Sequence, residues 1–214
     1  SVNTKSISKL FSSNKENIYN AGLNYKSTLN FGDFQPEIKA GLFAERKNRS
    51  FYIRPYGVVW SRPTYDTDLL FMPIDSVYED SNFNFENNGV IFREEYSQNY
   101  SYDVSSRLTA FYLSMKLPVT RLFTLYGGIR GEDYHLELTK PFDEDYKMVT
   151  DTMNFFPSVG LTVNLDEKNL VRLAYGKTIN RPEFRERTDF AFYDFEENVI
   201  VYGTDSLKSC YVHN

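Results

Sequence analysis

The 214-residue sequence contains very little cysteine or histidine. Cys210 is the only cysteine, and His135 and His213 are the only histidines. One thiol cannot form an internal disulfide bond, and it cannot build a zinc site alone. Neither histidine has a serine or cysteine nearby in the context of a nucleophile. We therefore predict that the chain is not an enzyme and that it holds no catalytic residue, metal or cofactor.

The sequence also lacks an excess of positive charge and any long apolar run. It has 24 lysines and arginines against 29 aspartates and glutamates, for a net charge of -5. This balance gives no basic surface for a nucleic acid, so we expect no nucleic-acid partner. The longest apolar runs are far shorter than the roughly 18 residues of a membrane-spanning helix. If the chain crosses a membrane, it must cross with strands.

Aromatic residues are abundant, with 17 tyrosines and 18 phenylalanines, and such side chains favour strands. Six segments alternate between apolar and polar residues with the period of two that is typical of a strand. Each has about ten residues or more, which is enough to cross a bilayer obliquely. The segments are 19–31, 38–47, 107–117, 123–132, 153–164 and 171–179. A continuation of the second segment to Trp60 is interpreted as the same strand beyond the bilayer.

The connections between these segments differ in length. The short ones, rich in turn-forming residues, lie around Asp33, around Val119 and at 166–169. The long and polar ones span about 61–103, 139–151 and 180–207. Short turns at one end and long loops at the other are typical of an outer-membrane barrel, whose turns face the periplasm and whose loops face outward.

We therefore predict an all-β fold of antiparallel up-and-down strands that forms part of a transmembrane β-barrel. Residues 1–214 would form one partial barrel domain, with six strands and a seventh within 206–214. A period of two does not by itself distinguish an apolar face that meets lipid from one that meets a second sheet. The alternative is a secreted or surface-attached all-β module that binds a ligand such as a carbohydrate.

Several stretches of the sequence resemble a known family. NFFPSVGLTVNLDEKNLVRLAYGKTINRPEFRE, followed by AFYDFEENVIVYGTDSLK, is similar to the C-terminal barrel region of TonB-dependent outer-membrane receptors of the Bacteroidetes type. TINRPEFRE is the specific part, and LYGGIRGEDY is similar to a GxRxE strand of these barrels. The resemblance covers most of the chain from about Ile18 onward.

This resemblance implies a location in the bacterial outer membrane and a role in the import of a scarce or large nutrient. The inner membrane would supply the energy through the TonB complex, which acts on a plug domain inside the barrel. Because family barrels have about 22 strands, the implied partners include the plug and the missing strands of the same receptor. Outer-membrane lipid and an unidentified transported ligand complete the expected partners.

Two groups of residues are candidate contact sites in such a barrel. Arg130, Glu132 and Arg172 lie on the polar side of their strands, and we expect them to face the lumen and the plug. Candidates for contact with the ligand, or for fixing the fold of the last long loop, are Arg181, Glu183, Arg185, Phe192, Tyr193 and Asp194. The charged run 180–187 also fits a rim that fixes the loop, because Pro182 ends ladder pairing. The aromatic residues equally fit a girdle at the lipid boundary.

Overall fold

The structure is a computed structural model that describes residues 8–32, 34–61, 67–85, 88–94, 96–166, 168–189, 191–194, 196–197 and 199–214. The strands in these residues are β1 (Ser8–Thr28), β2 (Glu37–Trp60), β3 (Val90–Glu94), β4 (Ser101–Pro118), β5 (Phe123–Lys140), β6 (Asp143–Asn164), β7 (Leu170–Asn180), β8 (Ala191–Asp194), β9 (Val199–Tyr202) and β10 (Cys210–His213). The short α-helix α1 (Ile74–Val77) lies between β2 and β3, and short 3-10 helices occupy Thr67–Phe71, Asp80–Asn82, Gln98–Tyr100 and Phe184–Arg187. In the part of the chain described, no helix is long and apolar enough to cross a membrane.

The main sheet confirms the predicted all-β, antiparallel, up-and-down fold. Its strands follow the order β1-β2-β4-β5-β6-β7-β10, with β3 paired to β2 at one end. Every neighbouring pair in this order is antiparallel. Strands β8 and β9 form a separate two-stranded ladder. The predicted seventh strand is β10. Because β1 and β10 lie at opposite ends of the sheet, the sheet is open and forms a portion of a barrel wall.

The short turns lie where the sequence predicts them, and a glycine or local hydrogen bonds account for each. Gly32 adopts a positive φ of 69° in the turn between β1 and β2, a conformation that glycine reaches without steric cost. The hydroxyl of Thr120 accepts from the backbone N–H of Phe123 at 3.0 Å in the turn before β5. The Asp166 carboxylate accepts from the Asn169 side chain and backbone in the turn before β7. These hydrogen bonds, with the Asn169 side chain as the largest cause, lower the pKa of Asp166.

The predicted long loop at 139–151 is wrong, because these residues belong to a tight hairpin. β5 runs to Lys140 and β6 begins at Asp143, so only two residues separate the strands. Glu137 and Lys147 form an ion pair of 2.8 Å across this hairpin. The charged residues of this segment are typical of a loop in the sequence. In the structure they are alternate side chains of two strands, which extend beyond the apolar part of the wall. Such an extension has no lipid to face and therefore needs few apolar residues.

The two other long connections contain structure of their own. Between β2 and β4 lie α1, the short strand β3 and three 3-10 helices. β3 pairs with the last residues of β2, where Trp60 is opposite Val90. Between β7 and β10 lie a 3-10 helix at Phe184–Arg187 and the ladder of β8 and β9. β1 also begins at Ser8, well before the predicted start near Tyr19.

One face of the sheet carries a continuous band of exposed apolar side chains, which we call the lipid face. In one row across five neighbouring strands, the partners in register are Leu23, Leu42, Phe111, Gly131 and Phe155. Leu23 is 70% exposed, Leu42 is 61% exposed and Phe155 is 48% exposed. A soluble sandwich would bury this face against a second sheet. The described residues place no second sheet there, which favours the interpretation that this face meets lipid.

We predict that arginine substitutions at two consecutive positions of β7 have different effects. Leu173 lies on the lipid face and is 64% exposed, whereas Ala174 is exposed on the opposite face. In the full-length receptor reconstituted in vesicles, Leu173→Arg should lower the free energy of unfolding by about 1–3 kcal/mol, because a cation is costly against hydrocarbon. Ala174→Arg is the matched control and should cost much less in the same urea titration. Equal losses for the two variants would contradict the assignment of the faces.

Candidate functional site on the polar face

The chain leaves β7 and folds back over the face opposite the lipid face, which we call the polar face. Residues 181–189 form this fold-back, and we call them the inner strap. Pro182 follows two residues after the end of β7, and a proline cannot donate to a strand ladder. The strap then makes one 3-10 turn, in which the backbone N–H of Glu183 donates to the Glu186 carboxylate at 2.9 Å. The hydroxyl of Thr188 donates to the carbonyl of Arg185 at 3.2 Å.

Phe184 anchors the strap in an apolar cluster on the polar face, near the ends of the strands that lead to the long loops. Its side chain is only 9% exposed, and the other buried members of the cluster are Tyr102, Val104, Leu136 and Leu138. The partly buried residues around them are Phe51, Tyr134, Tyr146 and Met148. Burying a phenylalanine side chain stabilises a structure by about 1.5–3 kcal/mol. This cluster is the apolar core of the described residues, and the strap closes it.

A buried carboxylate connects the strap to the barrel wall. Glu132 is 7% exposed, and its two oxygens accept from Arg130 Nε and Arg181 Nη2, each at 2.7 Å. The Arg181 guanidinium also lies over the ring of Tyr134, 4.6 Å from its centroid. Because a buried carboxylate is costly without compensating partners, the strap arginine is part of what allows Glu132 to be buried.

Further polar contacts hold the strap at both of its ends. The Arg49 guanidinium pairs with Glu16, lies 4.9 Å from the centroid of the Phe184 ring and is 3.9 Å from Glu183 Oε2. Arg187 donates to the hydroxyl of Thr150 at 2.8 Å.

Lys140 secures the far end of the strap. Its ammonium group pairs with Asp189 and donates to the Asn99 side chain at 2.9 Å. The same group lies 4.2 Å from the centroid of the Tyr146 ring. The strap is therefore fixed to β2, β5, β6 and the connection before β4.

Gly203 lets the end of β9 approach the strap closely. A Cβ at this position would lie 2.1 Å from the Thr188 carbonyl oxygen and 2.6 Å from that of Arg185. The neighbouring Thr204 donates its backbone N–H to the Glu186 carbonyl at 2.8 Å. The connection between β7 and β10 is thus tied to its own first turn.

The structure brings together several of the predicted site residues. Arg130 and Glu132, predicted to face the lumen, form one network with Arg181, which the sequence placed in the ligand or loop group. Glu183 and Arg185 lie in the same turn of the strap. Arg172 lies apart from this network, opposite Thr162 and near the turn between β6 and β7. Roles in contacting a plug or a ligand stay predictions for all of these residues.

The aromatic candidates lie in the β8–β9 ladder. Phe192, Tyr193 and Asp194 are strand residues of β8, paired with Val201, Ile200 and Val199. Their side chains are outside the part of the chain that the structure describes. Phe190 and Phe195, the aromatic residues on either side of them in the sequence, also lie outside the described residues.

A charged groove lies on the same wall near the short turns. It has a volume of about 600 Å³, and its lining includes Glu37, Lys39, Lys116 and Arg172. Glu37 pairs with Lys26 at 2.8 Å and with Lys39 at 3.1 Å. With four cations and one carboxylate among these residues, this part of the wall is positively charged.

A second groove, of about 920 Å³, lies along β1, β2 and β3, and it is lined by aromatic and polar residues that include Phe11, Tyr56 and Phe92. At its edge, Arg54 donates two hydrogen bonds to Glu94, at 2.7 and 2.8 Å. This partner is the main reason that the pKa of Glu94 falls to about 2. Across the described residues, no group of histidines, cysteines and carboxylates has the arrangement of a metal site.

Sequence reasoning identified Glu132 and Arg181 but missed several other residues that fix the strap. Phe184 is the single apolar residue within RPEFRER, and this isolation among charges was the available signal. Lys140, Arg49 and Gly203 have no local signal, because their partners are distant in the sequence.

The comparisons with known proteins agree with this architecture. The model of the outer membrane protein beta-barrel family matches residues 70–214. This chain belongs to the outer membrane protein beta-barrel family. It is therefore a protein of the bacterial outer membrane, as predicted. A search of curated proteins gave no significant match.

Solved structures of outer-membrane receptors are similar to this barrel segment. The siderophore receptor PiuA from Acinetobacter baumannii matches with a TM-score of 0.52 and 13% identity, over 78% of this chain and 24% of that one. The closed form of the ferric-catecholate import receptor Fiu from E. coli K12 matches with a TM-score of 0.47 and 22% identity, over 80% of this chain and 24% of that one. The chain thus spans about a quarter of the length of these receptors. The predicted resemblance to TonB-dependent receptor barrels is confirmed at the level of the fold.

We predict that Arg181 and Glu132 are energetically coupled. Arg181→Met should loosen the strap, and hydrogen exchange at the amides of residues 184–188 should rise on the order of tenfold or more in the full-length receptor. Glu132→Gln should also loosen the strap, and the coupling energy from a double-mutant cycle should be about 1–3 kcal/mol. Lys116→Met removes a cation from the same face away from the strap and serves as the control. Additive effects of the two substitutions would contradict the proposed pairing.

We also predict that Gly203 tolerates no side chain. Gly203→Ala should push β9 and the strap apart, because a methyl group has no room beside three carbonyl oxygens. Hydrogen exchange at Thr204 and across 185–188 should then increase. Gly176→Ala is the matched control, since a Cβ there meets nothing within 4 Å. Unchanged exchange in Gly203→Ala would rule out the close approach.

Proposed function

We propose that this chain is a wall segment of an energised outer-membrane importer. The observation that carries the proposal is the division of the sheet into an apolar lipid face and a charged polar face that bears the inner strap. In a closed barrel the polar face lines the lumen. The other strands and an internal plug domain would then belong to the same receptor.

The two ends of the polar face suit different roles in import. The strap lies at the long-loop end, where a ligand arriving from outside first meets the wall. The positively charged groove lies at the short-turn end, where Arg172, Lys39 and Lys116 would contact the plug. Arg130 and Glu132 lie in β5 between them and connect the wall to the strap. Movement of the plug by the TonB complex would open the path along this face.

The ligand is a nutrient that is too large or too scarce for passive diffusion. The solved structures named above are a siderophore receptor and a ferric-catecholate import receptor, so ferric siderophores are the first ligands to test. Haem, glycans and peptides follow, because barrels of this type differ mainly in their loops. Arg181, Glu183, Arg185, Phe192, Tyr193 and Asp194 are the residues that we propose for contact with the ligand or for the loop that holds it.

Uptake by cells that carry the full-length receptor tests this function. Accumulation of a labelled nutrient should fall to background when the receptor gene is deleted. It should fall equally when a protonophore removes the inner-membrane potential or when TonB is deleted. The control is a nutrient small enough for passive porins, whose accumulation should not depend on this receptor. Uptake that depends on the receptor but not on TonB would indicate a passive channel instead.

A further inference from the structure

Two arginines face each other on the lipid face, just beyond the apolar band. Arg46 of β2 and Arg107 of β4 are direct partners in register, and both are exposed. At the long-loop end, the band ends at Ala44 in β2 and at Thr109 in β4. Arg46 and Arg107 are the next residues on this face, two positions farther along their strands. The pair therefore lies at the outer boundary of the hydrocarbon.

Like charges directly opposite each other destabilise a sheet, so this pair needs a compensating anion. Within the described residues, neither arginine has an ion-pair partner within 4 Å. The nearest titratable groups on this face do not form an ion pair with either arginine. His135, opposite Arg107, holds Asp151 at 2.6 Å, and Asp133 is opposite Thr109, diagonal to Arg107.

The other charges that the structure describes on this face do not pair with the arginines, and Asp103, four residues before Arg107 in β4, is not within 4 Å of either one. Glu137 is engaged by Lys147 at 2.8 Å, and Lys15, opposite Ser50, adds a further cation. The flanking strands β1 and β5 enclose β2 and β4 on both sides. The missing strands of the barrel therefore do not border Arg46 or Arg107. An anion from the medium that meets this face would supply the compensation that the described residues do not.

The surroundings of the pair match a lipid at the membrane boundary. Toward the short turns, the same face continues with Leu42 and Phe111, which are 61% and 42% exposed. Tyr19, opposite Arg46, is 66% exposed, and tyrosines are enriched at membrane–water interfaces. Guanidinium groups bind phosphate oxygens in a bidentate geometry. The phosphate head group of a lipid fits the two arginines, and its acyl chain fits the apolar side chains of Leu42 and Phe111.

We propose that Arg46 and Arg107 bind the phosphate group of an anionic lipid of the outer leaflet, whose acyl chain lies along Leu42 and Phe111. The bound phosphate neutralises the two opposed charges and fixes the depth of the wall in the membrane. This site depends on the membrane location of the chain and is independent of nutrient import.

Lipid binding to the full-length receptor, purified in a neutral detergent, tests the site. The probes are phosphatidic acid, phosphatidylcholine and inorganic phosphate, and native mass spectrometry counts the retained molecules. Wild type should retain phosphatidic acid on the order of tenfold more than the double variant Arg46→Gln/Arg107→Gln, because the variant loses both guanidinium groups that attract the anionic head group. The single variant Lys15→Gln is the control and should retain it like wild type, because Lys15 lies four residues farther from the apolar band than Tyr19, the partner of Arg46. Heat-dependent gel mobility verifies that each variant is folded.

Three results would overturn the proposal. The first is equal retention of phosphatidic acid by wild type and the double variant. The second is equal retention of phosphatidylcholine and phosphatidic acid by wild type, which would show that the site does not recognise the net negative charge of the head group. The third is displacement of phosphatidic acid by an equal concentration of inorganic phosphate, which would assign the site to a free anion. If the double variant does not fold, Arg46→Lys/Arg107→Lys keeps the charges and should retain phosphatidic acid within a fewfold of wild type.

Discussion

The satisfaction of backbone hydrogen bonds in hydrocarbon is the constraint on which the structure depends. A peptide group that faces lipid without a partner costs several kcal/mol, so each strand in the membrane must be paired along its length. The antiparallel registers of β1, β2, β4, β5 and β6 meet this requirement, and their one shift, at Thr139/Lys140, lies beyond the apolar band. Once the ladders are fixed, alternation of side chains divides the sheet into two faces. One face can then be apolar while the other carries charges.

On the polar face, the inner strap supplies partners to groups that would otherwise lack them. The strap brings an apolar anchor, Phe184, and a cation, Arg181, to a wall that would otherwise present an apolar cluster and a buried carboxylate to water. Each contact alone is modest, but they act on one short segment. The barrel wall and the last long connection are therefore parts of one packed unit, rather than a rigid wall with an independent loop.

The sequence predicts the fold better than it predicts the site, for physical reasons. Alternation of period two is a local property, so the central strands and the three short turns could be recognised from the residues alone. The hairpin at Lys140–Asp143 could not, because strands outside the bilayer lose the apolar signal. The pairing of Glu132 with Arg181 joins residues 49 positions apart, and only the register and the fold-back of the chain bring them together.

The length of β2 sets where an approaching molecule first touches the protein. From Lys47 to Trp60 the strand continues past the boundary marked by Arg46, which at about 3.3 Å per residue adds on the order of 40 Å along its axis. β1 accompanies it through most of this height. The wall therefore extends beyond the bilayer on the outer side. A nutrient, an antibody or a phage contacts these strands before it reaches the lipid head groups.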